Sequence, residues 1–216
     1  MNWFASYINA VKRHYKSSHE FYHTIHHITN MFELYEKYKS EFDKEIEKEY
    51  EEYKQYSDYN KLIEKQKEIL YWSIAYHDSY YMPGFTINEQ ISAKIADYEL
   101  HKIIGYSKYA DYSYEVKDTI LSTDISNTNF DTAIKRILHD LDWSGFTDYY
   151  KLFENHVKIF TEAVCVGEYD LNVVKENQLK FYKSIIDKDI FKTEFCQDWN
   201  KLAKENLTKI ISVLEK

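Results

Sequence analysis

A single proline, followed at once by one of only four glycines, is the feature that most restricts how these 216 residues can fold. Sheets need frequent reversals, and reversals draw heavily on proline and glycine. A chain with one Pro83-Gly84 break and abundant Glu, Lys, Leu and Ile has the resources for helices joined by a few turns. The sequence therefore predicts an all-α fold. Its length suits one domain with a sizeable core. No repeat, linker or compositional shift divides it, so residues 1–216 read as one helical bundle.

Apolar residues recur at helical spacing along most of the chain. Phe4, Tyr7, Ile8 and Val11 form a first set, Ile25, Ile28, Phe32 and Tyr35 a second, with a break near Ser17-Ser18. Residues 36–61 are the most charged and predict a solvated amphipathic helix, extended in length, with Phe42, Ile46, Tyr50 and Tyr53 inward. "NKLIEKQKEILYWSIAYHD" grows more apolar toward its end and predicts a helix carrying His77-Asp78 into the core. A loop from Ser79 to Ile87 follows, its Pro83-Gly84 suited to a tight reversal. Asn88 reads as the cap of a helix reaching about Ile104, with another from about Tyr112 to Thr123. Four more are expected over 130–143, 148–166, 171–187 and about 194–214.

A formal charge of −8 argues against binding a nucleic-acid duplex, which needs a basic surface. Two distant cysteines, Cys165 and Cys196, give no disulfide framework and suit a reducing, cytoplasmic setting. The opening "MNWFASYINAVKRHYK" reads as neither signal peptide nor membrane span. No membrane partner is expected. Homo-oligomerisation is left open.

Chemistry concentrates in three places. His19, His23 and His27 are spaced by four, which on a helix stacks them along one face, although a polar face with incidental histidines has the same spacing. His77-Asp78 follows "ILYWSIAY", so its carboxylate meets an apolar environment where a salt bridge, a cap or a cation must compensate it. "ILHDLDW" embeds Asp140 and Asp142 in a similar frame. Two residues apart on a helix diverge by about 200°, so one can face a metal while the other supports a ligand histidine. Imidazole plus carboxylate suits Zn, Mn, Fe or Co.

The order His, His-Asp, Asp on an all-helical chain resembles the HD superfamily of metal-dependent phosphohydrolases. Within it the chain is similar to a bacterial and phage family described as predicted HD phosphohydrolases. The similarity rests on Tyr22, His23, His27 and Ile28 in "YHTIHHI", and on His77, Asp78 and Tyr81 in "HDSYY". It continues through Asn88, Glu89, Ser92 and Ala93 in "NEQISA", then Asp140 and Asp142, and ends at Ala203, Asn206 and Leu207. Two positions depart from the family. Ser126 stands three residues after Thr123 where a histidine is common, and Phe160 stands in place of an arginine two residues before the retained Glu162.

The resemblance implies an HD-like bundle holding one divalent metal ion (Mn, Zn, Co, Fe, Ni or Mg) on His27, His77, Asp78 and Asp142, with Asp140 behind them. It implies Glu89 as the carboxylate that orients or deprotonates water, with Asp78 also counted as catalytic. His23, Asn88 and Tyr81 would line the substrate pocket, and Lys158 would replace the missing arginine. The implied substrate is a small phosphomonoester or phosphoanhydride, above all a nucleotide or nucleotide-derived signal. The alternative is a weak or inactive HD-fold protein that binds a nucleotide or a protein partner. An oxygenase of the superfamily would need two irons and more histidines than the pattern supplies.

Overall fold

Helix α4 (Tyr59–Tyr76) organises the molecule because its second half has no solvent face. Ile69, Leu70, Trp72, Ile74, Ala75 and Tyr76 are all buried, and a helix apolar on every side must be surrounded. Five helices do this in the computed structural model, which describes residues 4–15 and 21–216, with 104–108 described by backbone alone. They are α1 (Ala5–Val11), α2 (Ile25–Lys37), α3 (Lys39–Glu49), α5 (Asn88–Leu121) and α6 (Ala133–Asp142). A 3-10 turn, Trp143–Thr147, leads from α6 into α7 (Tyr149–Cys165), α8 (Leu171–Ile185) and α9 (Trp199–Leu214), which pack on one another and on that turn. The fold is all-helical, as expected, with no strand among the described residues. No described helix is long and apolar enough to cross a membrane.

The charged stretch departs from the predicted single helix. Phe42 and Ile46 are fully buried and anchor α3. Two such side chains contribute roughly 3–6 kcal/mol, well beyond what surface ion pairs along the helix supply. The helical path then ends at Glu49, passes through a short 3-10 turn at Glu51–Tyr53, and resumes at Tyr59. Tyr50 is only partly covered and Tyr53 is 43 % exposed, so neither continues the inner face. The chain runs out of core to cover before the pattern runs out of aromatics.

α5 is one helical element of 34 residues, where two helices were expected. The path is nonetheless not straight. Asp97 accepts from the Tyr109 hydroxyl at 3.0 Å and from Ser113 Oγ, and Lys117 Nζ lies 3.4 Å away. Residues 97 and 113 on a straight helix would stand about 24 Å apart. The chain between them therefore bends rather than running as one straight rod.

The expected break at Ser17-Ser18, and His19, lie outside the described residues. The last helix begins at Trp199 rather than near Glu194.

Candidate metal centre

Three helix ends converge on one point. Thr24 caps α2, its hydroxyl accepting from the His27 amide at 3.4 Å, which sets His27 in the first turn facing inward. His77 and Asp78 follow the last turn of α4, and Asp142 closes α6. One ligand atom from each of His27, His77, Asp78 and Asp142 lies within 4.8 Å of all the others. His27 Nε2 is 3.0 Å from Asp142 Oδ1 and 3.7 Å from Asp78 Oδ2. His77 Nε2 is 3.1 Å from Asp78 Oδ2 and 3.8 Å from Asp142 Oδ1.

These residues fit a divalent cation. His77 is 1 % exposed and its Nδ1 donates to the Ile74 carbonyl at 3.1 Å, which fixes the ring and aims Nε2 at the two carboxylates. Nε2 is buried there without a well-aligned hydrogen bond. A buried nitrogen left unsatisfied beside two carboxylates is costly unless something binds it. A cation with nitrogen and oxygen ligands at about 2.1 Å separates neighbouring ligands by about 3.0–3.5 Å, close to the spacings seen. Without one, burial opposes protonation of His77, yet Asp78 and Asp142 still hold its pKa well above the ordinary value. Burial likewise opposes ionisation of Asp142, and its two histidine neighbours hold its pKa below the usual range.

Asp78 and Asp142 open on a cavity of about 360 Å³ that Glu89, His23 and Tyr81 also line. Glu89 is half-buried, and burial raises its pKa, with Asp124 and Asp78 adding to the rise. His23 precedes α2 and does not share a helix face with His27, which corrects the stacked arrangement read from their spacing. Its Nδ1 donates to Glu162 at 2.6 Å, and its ring stacks on Tyr81 with centroids 3.4 Å apart. Trp143, Phe146 and Phe181 supply an apolar wall.

Asn88 stands beside Glu89 but caps nothing with its side chain. Its amide instead bonds Met82 N and Met82 O, each at 3.0 Å, and Phe85 O at 3.1 Å. One turn later Ser92 Oγ accepts from Tyr80 N and donates to Tyr80 O, both at 3.1 Å. The two residues staple the 80–85 loop to α5 and leave Glu89 to face the cavity. Gly84 has φ +80°, and a Cβ there would overlap the Tyr169 side chain, whose hydroxyl donates to Pro83 O at 3.3 Å. The Pro83-Gly84 reversal is thus held from both sides.

Two expectations are corrected. Asp140 supports no ligand histidine: it is fully buried and accepts from Lys192 N at 2.7 Å, Thr193 N at 2.8 Å and Thr193 Oγ1 at 2.6 Å. Those donors turned it away from the centre. Lys158 pairs with Glu154 at 2.6 Å and lines a separate cleft reached from the other side of His27 and Asp142, not the cavity of Glu89. Neither arginine replaces it, since Arg13 pairs with Glu99 and Arg136 with Glu45 and Glu49.

Sequence reasoning gave Glu162 no role. It is 1 % exposed and also accepts from the Tyr22 and His23 amides, each at 3.0 Å. The available signal was a lone carboxylate in the apolar run "IFTEAVCV", the same kind of clue that marked Asp78 and Asp142. No family model, curated protein or solved structure matches this chain.

Proposed function

We propose that the chain is a metal-dependent phosphohydrolase of the HD type, acting on a phosphomonoester or phosphoanhydride of a nucleotide or nucleotide-derived signal. The observation that carries this reading is the convergence of His27, His77, Asp78 and Asp142, with His77 Nε2 buried and unsatisfied among them. These four would hold one divalent ion of the Mn, Zn, Co, Fe, Ni or Mg group. When bound, the ion would supply Lewis acidity toward a phosphoryl oxygen and lower the pKa of water.

The protein's own groups divide the remaining work. Glu89 is the acceptor for the proton of the attacking water, and a carboxyl whose pKa burial raises suits that task. Asp78 holds the edge of the cavity where the two functions meet. His23 and Tyr81 form a polar wall for the phosphoryl group, and Trp143, Phe146 and Phe181 an apolar wall for the rest of the substrate. With Lys158 and both arginines engaged elsewhere, positive charge toward the phosphate comes from the ion and from histidine.

The same lack of arginine supports a second reading, in which the fold binds a nucleotide or protein partner and turns it over slowly or not at all. One experiment separates them. The purified chain is analysed for bound metal, then assayed for phosphate release from a panel of linear and cyclic nucleotides with Mn, Co, Zn or Mg. Release that requires metal and disappears in Asp78→Ala supports the hydrolase. Nucleotide binding without release at any metal would favour the second reading.

A further inference from the structure

We propose that His23 is the acid that protonates the leaving oxygen and that Glu162 is the residue that positions it. This deepens the hydrolase reading and rests on it. Three donors converge on one buried carboxylate: Glu162 Oε1 takes the Tyr22 and His23 amides at 3.0 Å each, and Oε2 takes His23 Nδ1 at 2.6 Å. Backbone and ring are thereby locked as one unit. The imidazole also lies against Tyr81, with the two planes 18° apart, so the stack holds the plane of the ring while the short bond fixes which nitrogen faces Glu162.

With Nδ1 engaged, Nε2 is the remaining nitrogen of a ring that borders the cavity of Asp78, Glu89 and Asp142. The geometry is that of a histidine held in one orientation by a carboxylate, where the carboxylate stabilises the charged ring without reacting itself. Glu162 lies outside the four-residue cluster, so a cation bound there does not use up its charge. It can therefore keep His23 as a proton donor while the neighbouring carboxylates are occupied. Nothing else in Glu162's surroundings needs an anion, since two of its three donors are neutral amides.

The step balances as follows. The water oxygen bonds to phosphorus as the bond from phosphorus to the ester oxygen breaks, and that electron pair stays on the ester oxygen. The Nε2 proton of His23 passes to the ester oxygen while Glu89 takes a proton from the water. Ester and water become alcohol and phosphate. His23 then regains a proton from solvent and Glu89 releases one.

The test uses leaving groups of different need. Protonation matters for a nucleoside monophosphate, whose sugar alkoxide is a poor leaving group, and far less for p-nitrophenyl phosphate, whose phenolate departs unaided. With Mn-loaded full-length protein, Glu162→Gln and His23→Gln are each expected to lower kcat about 10²-fold on the nucleotide. On p-nitrophenyl phosphate the fall should be at least about tenfold smaller, with KM little changed for both substrates. Independently, ¹⁵N-correlated NMR of the metal-free wild type should show a low-field Nδ1 proton on His23 that vanishes in Glu162→Gln. Equal losses on both substrates would mean a merely structural role and overturn the proposal, as would absence of that proton in the wild type. A wild type that hydrolyses neither substrate with any metal would sink the hydrolase reading and the acid step with it. The NMR signal distinguishes that failure from a missing His23–Glu162 pair.

Discussion

Asp140 and Asp142 leave the same helix two residues apart, and in sequence they are nearly equivalent: each is a carboxylate set among apolar residues of "ILHDLDW". Their fates are opposite. Asp140 meets two backbone amides and a hydroxyl from residues 192 and 193, which satisfy it in place. Asp142 meets the imidazoles of His27 and His77, and a second carboxylate beyond them. A buried carboxylate demands compensation, and the surroundings decide whether amides or a cationic site provide it. One aspartate fastens the fold and the other serves the site.

The largest test of that contrast is metal affinity. On the proposed reading, Asp142→Asn should weaken Mn or Zn binding about 10³-fold or more, equivalent to about 4 kcal/mol by calorimetric titration. Asp140→Asn should bind with unchanged stoichiometry. Loss of binding in both would merge the two roles.

Next in size is an acid dependence arising beside Asp140. His139 is buried, donates Nε2–H to Ile190 O at 2.9 Å, and is pushed down to about 4 by burial. A histidine with a folded-state pKa below its unfolded value contributes stability above the unfolded value of about 6.5 and loses it as pH falls toward 4. Asp140, pushed up to about 6 by burial against its hydrogen bonds, acts in the opposite direction over much of that window and masks the loss. Comparing denaturant unfolding of the wild type and His139→Gln cancels the Asp140 contribution. The stability difference should move by up to about 3 kcal/mol in favour of the variant between pH 7 and pH 4. A constant difference would show that His139 titrates normally.

A smaller effect is expected on stability itself. Asp140→Asn replaces an acceptor of three hydrogen bonds with a group that accepts fewer, and should cost about 2 kcal/mol in chemical denaturation. Asp142→Asn in metal-free protein removes the carboxylate that His27 and His77 face and should cost a comparable amount.

The smallest effect is a rate. Cys196, whose amide donates to the same Thr193 hydroxyl that bonds Asp140, is buried, with its thiol pushed up to about 12 by burial, while Cys165 is exposed. A thiol reagent should label one cysteine quickly and the other only through opening of this region. Asp140→Asn should accelerate the slow phase, and Asp142→Asn should leave it unchanged. Equal acceleration by both would mean that the two ends of α6 open together.

Much of the site could be read in advance because its residues announced themselves by cost. His77-Asp78 at the end of an apolar helix and Asp142 in an apolar frame required partners, and the partners proved to be one another. Glu162 carried the same signal but lay about 20 residues beyond the aspartates, with no neighbouring histidine to suggest a role. Asn88 looked like part of a pocket because it stands next to Glu89. It does border the cavity, but its side-chain amide is spent on Met82 and Phe85, about 100° round the helix axis from Glu89.

What the sequence alone determined is the helical class, the inward course of α4 and the short list of carboxylates and histidines that burial makes expensive. These follow from local composition and periodicity, which act over a few residues. Which carboxylate meets which donor was decided only by tertiary structure. His27 and Asp142 are 115 residues apart, and His23 and Glu162 139. Contacts at such separations depend on how α2, α4, α6 and α7 pack, and no local pattern encodes that.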